Sequence, residues 1–172
     1  MGIVTKTGDK GSTSLCCGTK VDKDDIRMEI CGSLDEVSSF LGMAKACAGN
    51  DRTKSVAARV QRSLIALNAE VTSTTKSVNR LKERICRDSV RAIEKEIACL
   101  EDKCGLKTRV FCLQGANVVS STLDIARAIT RRAERRCVTL MKRDMLNNRD
   151  IIVYLNRLSD LLYLLARFNE KK

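Results

Sequence analysis

An all-α domain, a five-helix up-and-down bundle behind a polar N-terminal loop segment, is what this sequence predicts, and three observations carry it. Proline is absent and glycine sparse, while Ala, Leu, Arg, Lys and Glu dominate, a composition that favours long uninterrupted helices over turn-rich sheet. Apolar residues recur at spacings of three and four in five successive stretches, the period of a helix with one buried face. The links between these stretches are short, as in a bundle of neighbouring helices. At 172 residues the chain fits one domain, residues 1–172, able to bury about two thirds of its unfolded surface in one core.

Residues 1–32 read as a loop-like segment and residues 33–170 as the bundle. Ser33-Leu-Asp-Glu36 has the form of a capping box, so the first helix is expected from Ser33 to about Cys47, burying Leu34, Val37, Leu41 and Ala44. Asn50-Asp51 opens a second helix carrying Val56, Val60, Leu64, Leu67 and Val71, broken by the Thr/Ser-rich stretch 72–77. A third pattern runs through Ile85, Val90, Ile93, Ile97 and Leu100 to Gly105. Asn117 or Ser120 begins a fourth, reaching about Met145, with Ala126, Ile129, Ala133, Cys137 and Leu140 on one face. Arg149 or Asp150 begins a fifth, through Phe168.

Composition also narrows function. Thirty-two Lys and Arg against 21 Asp and Glu give a net charge of +11, which draws nucleotides, nucleic acids or acidic surfaces. Aromatics are only 3% of residues, so the stacking platforms of a single-strand binder are mostly missing. Nine cysteines, an odd number without a secretory signal, argue for reduced thiols in a cytoplasmic protein, most of them expected as small buried apolar groups. No Cys-x-x-Cys pair supports zinc, and the absence of histidine excludes chemistry built on imidazole. No apolar run reaches transmembrane length, so no membrane partner is expected.

Three segments carry chemistry. Thr5-Lys-Thr-Gly-Asp-Lys-Gly-Ser-Thr-Ser14 places two lysines, several hydroxyls and two permissive glycines together, which suits an anion such as phosphate; a plain glycine turn explains it as well. It is not a Walker A loop, because Gly8 and Gly11 are three apart and no Gly-Lys-Ser/Thr follows. On the fourth helix Asp124, Arg127, Arg131 and Glu134 form a stripe that reads as a solvated ion-paired surface. Against that, Arg127, Arg131, Arg132, Arg135 and Arg136 repel one another unless an anion meets them. In the leucine-rich last helix, Asn156 reads equally as an inter-helix hydrogen bond or a ligand contact, and Asp160 as a partner for an arginine. Asp35, expected in the first helical turn, also suits the helix dipole.

Taken in order, Thr5 to Ser14, Lys23-Asp-Asp25, Gly32-Ser-Leu-Asp35-Glu36, Arg131-Arg132-Ala-Glu134-Arg135 and Tyr154-Leu-Asn156-Arg157-Leu-Ser159-Asp160 make the chain resemble the PduO-type ATP:cob(I)alamin adenosyltransferases. The resemblance runs from about Thr5 to Phe168. It implies a homotrimer with ATP between the N-terminal loop of one subunit and the arginine helix of the next. It implies ATP-binding roles for Thr5, Lys6, Thr7, Gly8, Thr13, Ser14, Lys23, Arg131, Arg132, Ala133, Glu134, Arg135 and Asn156. Asp35 and Arg127 match a pair that bridges subunits beside the corrinoid, Phe111 an aromatic that crowds the lower face of cobalt, and Tyr163 a companion there. The implied catalytic set is Arg131, Phe111, Asp35 and Arg127. The implied reaction is attack of reduced cobalt on the 5′ carbon of ATP, with Mg²⁺ and the basic side chains stabilising the departing triphosphate.

The chain departs from that pattern at Phe111-Cys-Leu-Gln-Gly-Ala116, where the family usually has Phe-x-Leu-Pro-Gly-Gly, so the turn lacks its rigid proline and one glycine. Cys31 also replaces an aromatic before Gly32. Two other functions stay open on sequence: a trimeric ATP-binding sensor without transfer, and a basic helical nucleic-acid binder. The transferase reading further implies a flavin-type reductase and a cobalamin-dependent acceptor enzyme as partners, and no nucleic acid.

Overall fold

The computed structural model describes residue 4 and residues 6–74, 76–104 and 112–170, the side chains of 103 and 104 excepted. Five α-helices, one short hairpin and a single 3-10 turn at Val78–Arg80 make up the described fold. In the hairpin, β1 (Ser12–Ser14) pairs antiparallel with β2 (Lys20–Asp22), Thr13 opposite Val21. Its connection is closed by the Leu15 and Gly18 amides, which donate to Thr19 and Leu15 carbonyls, with Gly18 at φ +83° where a side chain would be strained.

The first helix, α1 (Ile26–Cys47), starts seven residues before the position expected from the Ser33–Glu36 capping box. Asp25 caps it instead, its carboxylate accepting from the Arg27 amide at 2.8 Å and gripping the Arg27 guanidinium at 2.6 Å. Ser33 therefore lies inside the helix and donates to the Glu29 carbonyl, Asp35 is not in the first turn, and the segment before Ser33 is not all loop. Gly32 sits within this helix at a cost of about 1 kcal/mol relative to alanine. Packing of Ile30 and Leu34, both fully buried, outweighs it.

α2 (Asp51–Val71) begins as the sequence predicts, Asn50 accepting from the Thr53 amide. α3 (Arg87–Cys104) begins after Ile85, which is buried but belongs to the approach rather than to the helix. α4 (Val118–Lys142) opens on a reciprocal capping box between Asn117 and Ser120, and α5 (Asp150–Phe168) has the expected bounds. The predicted buried faces of α1, α2 and α4 all enter one core, which the leucines of α5 join, and only Ile97 of the α3 set remains partly exposed.

Spatial order differs from chain order. α1 packs on α2 and on α4, α4 on α5, and α3 on α5 rather than on α4, the helix that follows it. Residues 105–117 between α3 and α4 are long enough to allow this, so the bundle is not a simple sequence of neighbours. No helix among the described residues is long and apolar enough to cross a membrane.

Candidate active site

The N-terminal segment folds back on its own lysine. Lys6 adopts φ +58°, a left-handed backbone that is uncommon outside glycine, and the Lys23 amide donates to the Gly11 carbonyl at 2.8 Å. The Lys23 ammonium lies against Gly8 so closely that a methyl group added there would sit 3.0 Å from Nζ. Gly8 and Lys23, far apart in sequence, are thus one surface, with Thr13 half-buried and Ser14, Lys6 and Thr7 exposed nearby in the chain. Thr5 lies outside the described residues.

This hairpin docks on the end of α2. Thr72, the residue that ends that helix, donates through its hydroxyl to Cys16 Sγ at 3.0 Å, and Cys17 Sγ lies 3.8 Å from the Thr72 carbonyl. Hydrogen bonding from Thr19, side chain first, favours the Cys17 thiolate and brings its pKa down to about 7. The expectation that most thiols are buried fails: among the described cysteines only Cys31 and Cys137 are buried, and there burial pushes both up to about 12. Cysteine tolerates surface positions because its reactivity rather than its packing sets where it is costly.

The arginine helix divides its cations between structure and solvent. Arg132 reaches Glu36 on α1 at 2.5 Å and approaches Ser33, and Arg136 pairs with Glu29 at 2.7 Å. Ala133 is fully buried between them, so its side chain contributes packing only. Arg131 and Arg135 are exposed on the side of α4 away from the core, and neither side chain has an ion pair or hydrogen bond among the described residues. Beside them Glu134 accepts from Asn156 Nδ2 at 3.3 Å, while Arg157 donates to Asn156 Oδ1 at 3.1 Å. Asn156 is therefore an inter-helix bond whose position flanks the free arginines. Asp160, expected to pair with an arginine, is exposed and has no ion pair among the described residues. The last helix turns its leucines inward at Leu158, Leu161 and Leu162, which carries position 160 to solvent.

A second cluster forms where α4 and α5 run together. Arg127 is half-buried, with Nε 3.8 Å from Asp124 Oδ1. Asp124 is itself buried and receives Arg167 Nη2 at 2.5 Å. The Arg167 guanidinium stands 5.2 Å from the centre of the Tyr163 ring. Burial raises the Tyr163 phenol above its usual range, and its hydrogen bond with Cys112 adds to this, whereas Arg167 opposes it. That contact matters for position, because Cys112 follows Phe111 in the chain. Phe111 itself lies outside the described residues. Asp35 is exposed on α1 and accepts from Asn68 at 3.1 Å rather than meeting Arg127 of its own chain. Asp124 and Arg167 were not singled out together by the sequence, although an aspartate three residues before Arg127 was visible in the stripe.

A cleft of about 630 Å³ lies elsewhere, among α2, α3 and α5, lined by Val60, Arg84, Ile93, Glu96 and Tyr154, and a larger one of about 840 Å³ lies where Asn50, Asn117, Val118 and Phe168 meet. In the first of these Glu96 holds Arg59 at 2.5 Å and also Arg52, whereas Arg62, Lys82 and Glu83 on its wall have no ion pair among the described residues. Among the described residues no group of three or more carboxylates and thiols is arranged as a metal cage.

A family profile described as cobalamin adenosyltransferase matches residues 3–169. The corrinoid adenosyltransferase of Citrobacter freundii is 38% identical over 168 residues, 98% of this chain and 94% of that protein. A corrinoid adenosyltransferase of Bacillus subtilis is 37% identical over 171 residues, 97% of this chain and 86% of that protein. Among solved structures, a variant PduO-type ATP:corrinoid adenosyltransferase from Lactobacillus reuteri, complexed with cobalamin and ATP, superposes with a TM-score of 0.85 at 30% identity, over 98% of this chain and 93% of that one. With the match spanning nearly its whole length, this chain belongs to the cobalamin adenosyltransferase family.

Proposed function

We propose that this protein transfers the 5′-deoxyadenosyl group of ATP to the cobalt of cob(I)alamin, giving adenosylcobalamin and triphosphate. The observation that carries the reading is the pair of exposed, unmatched guanidiniums of Arg131 and Arg135, set in a helix whose other arginines are matched to carboxylates. Reduced cobalt supplies the electron pair that forms the cobalt–carbon bond, and the C5′–O bond breaks with its pair leaving on triphosphate. No protein nucleophile is needed. The protein's work is alignment and stabilisation of charge on the leaving group, which fixed cations do well.

In this reading Arg131 and Arg135 bind phosphate oxygens, and Arg132 stays tied to Glu36 and shapes the row. Glu134 and Asn156 fix its edge. Thr5, Lys6, Thr7, Gly8, Thr13, Ser14 and Lys23 supply the other wall. Arg131 and Arg135 face away from their own bundle, so a second copy of the chain brings that wall, and a homotrimer closes the sites. Exposed Met43 on α1 and Ile125 on α4 give such an assembly apolar surface. Mg²⁺ would arrive on the triphosphate, held mainly by phosphate oxygens and water. Asp35 of one subunit and Arg127 of the next meet beside the corrinoid, with Phe111 and Tyr163 against its lower face to displace the axial ligand and exclude water.

Residues 1–172 form one domain of this kind, its nucleotide-binding segment ending at Asp25 rather than residue 32. The free thiols among the described residues suit a reducing, cytoplasmic setting. A flavin-type reductase would deliver the electron and a cobalamin-dependent enzyme receive the product. The test is anaerobic: purified protein with chemically reduced cobalamin, ATP and Mg²⁺, followed by the spectrum of the cobalt–carbon bond and by release of triphosphate. Both are expected; ATP binding without either product would overturn the assignment in favour of a sensor.

A further inference from the structure

We propose that Asp124 and Arg167 form a positioning pair, one that holds Arg127 and Tyr163 in the orientation the corrinoid requires. The proposal rests on the reading above that Arg127 and Tyr163 face the corrinoid.

The pair is buried to an unusual degree for full charges: the side chains of Asp124 and Arg167 are 5% and 3% exposed, and they meet at 2.5 Å between α4 and α5. Burying two charges costs desolvation that a well-packed apolar pair avoids, so stability alone does not account for the arrangement. What the charges add is direction. Arg167 uses one nitrogen, Nη2, for both Asp124 and, at 2.8 Å, Glu170. Its plane stands beside the Tyr163 ring, fixing that ring from one side while Cys112 holds the hydroxyl end.

Asp124 is shared unequally. Its Oδ2 is bonded to Arg167, whereas Oδ1 faces Arg127 Nε at 3.8 Å, too far for a hydrogen bond. Both of those facing atoms are fully buried and have no hydrogen-bond partner, and neither have Arg167 Nε and Nη1. Buried polar atoms left this way are rare and call for a reason. Arg167 supplies one here, because by occupying Oδ2 it keeps Asp124 from turning fully onto Arg127. The Arg127 stem stays in the carboxylate's field, and the exposed part of its side chain remains free to meet a partner. Without Arg167, Asp124 would capture Arg127; without Asp124, Arg127 would lose its orientation and Arg167 its seat beside Tyr163.

The decisive variant is the double substitution Asp124→Asn with Arg167→Met, which removes both charges of the pair together; the ions it leaves without those partners, Arg127 and Glu170, are 30% and 20% exposed and reach solvent. Its melting temperature, oligomeric state and KM for ATP should stay close to those of the parent protein. The KM for corrinoid, and the Kd for cob(II)alamin read from its spectrum, should rise roughly 10- to 100-fold, the usual penalty for misplacing a site group by about 1 Å. A purely structural pair predicts that corrinoid binding recovers along with stability, so parent-like corrinoid KM and Kd would overturn the proposal, as would equal increases in both KM values. Should the double variant fail to fold, Arg167→Lys keeps the charge and loses the planar fork, and the same split between corrinoid and ATP is expected.

Arg127→Ala separates the proposal from the reading beneath it. With Tyr163→Ala added to that background, so that both positioned residues are gone, the double substitution should add less than about twofold to the corrinoid KM, since coupled residues are not additive; a full additional loss overturns the positioning role. If Arg127→Ala alone leaves corrinoid binding at the parent value, the placement of Arg127 beside corrinoid falls and takes the proposal with it, a result that none of the other outcomes mimics.

Discussion

The face built from α2, α3 and α5 and the outward face of α4 are both rich in arginine, yet they use it in opposite ways. On the first, each arginine that approaches the core meets a carboxylate. Arg52 and Arg59 share Glu96, Arg157 meets Glu94, and Arg84 meets Glu70, which also accepts from the Ile85 amide and from Asn148. On the second, Arg131 and Arg135 have no such partner. Matched charge ties helices together; unmatched charge, set beside a row of matched ones, is a place prepared for an anion. A cleft of about 630 Å³ also opens on the matched face, so a concavity alone does not mark the side prepared for an anion.

The sharpest break between the two faces is Arg131→Ala. It removes a proposed phosphate ligand from an exposed position, so kcat/KM should fall about 10²- to 10³-fold, as when one donor to a developing charge is lost. The melting temperature should hardly move, because no cavity forms and no buried partner is stranded. Normal turnover would erase the distinction between the faces. On the matched face Glu70→Ala should do the reverse. Glu70 is 3% exposed and joins α2, the approach to α3 and the link before α5, so its loss strands Arg84, the Ile85 amide and one bond of Asn148 Nδ2. A stability loss of about 3 kcal/mol is expected in denaturant unfolding, with the KM values of the remaining folded protein unchanged.

Two smaller effects sharpen the comparison. Asn117→Ala removes the side-chain half of the cap that starts α4, leaving the Asn117 amide on Ser120 Oγ, and should cost about 1 kcal/mol in denaturant unfolding, with little change in activity if Arg131, more than three turns along, is held by its own packing. The matched face should also carry an acid dependence. Burial works against the charged form of Glu96, but the hydrogen bond from Arg59 and the charges of Arg52 and Arg59 outweigh it and hold its pKa below the ordinary value of 4.5. A depressed carboxyl contributes stability that is present above its unfolded pKa and lost as pH falls through the folded one. Glu96→Gln should therefore flatten the fall in melting temperature below about pH 4.5 while leaving neutral pH nearly unaffected.

The same contrast explains which parts of the molecule the sequence disclosed. The bounds of α2 and α5, the start of α4 and one apolar stripe each on α2 and α4 were legible, because the spacing of Val56 to Val71 or Ala126 to Leu140 reports a local period and the Asn50 and Asn117 caps are local too; α4 ends at Lys142, short of the expected Met145. The start of α1 was not, since Ser33-Leu-Asp-Glu36 imitates a capping box while Asp25 does the capping, and only the packing of Ile30 distinguishes them. Nor was the seat of α3 on α5 legible, which depends on a long link rather than on any pattern within the helix. In the site, the motif residues were found through resemblance, but their division into matched and unmatched arginines was not. Whether Arg132 reaches Glu36 or Asp124 reaches Arg167 depends on which helices become neighbours, and residues 43 apart carry no periodic signal of that.

Arg157 gives the smallest effect and joins the two faces. Its Nε meets Glu94 of α3 at 3.0 Å, on the matched side, and its Nη1 donates to Asn156, which in turn donates to Glu134 beside the free arginines. The Arg157–Glu94 pair is 40% and 47% exposed, so its contribution to stability is at most a few tenths of a kcal/mol, about 0.3. Arg157→Ala should thus leave unfolding nearly unchanged, yet release the Asn156 amide from one side. If the matched face serves only as scaffold, that release changes nothing at the ATP site. If it also braces the free arginines through Asn156 and Glu134, the KM for ATP should rise about threefold, consistent with one neutral hydrogen bond's loss of alignment, with kcat nearly constant. Arg157→Lys, which keeps the charge toward Glu94 but loses the fork that spans to Asn156, should reproduce the KM change, separating the brace from the surface charge.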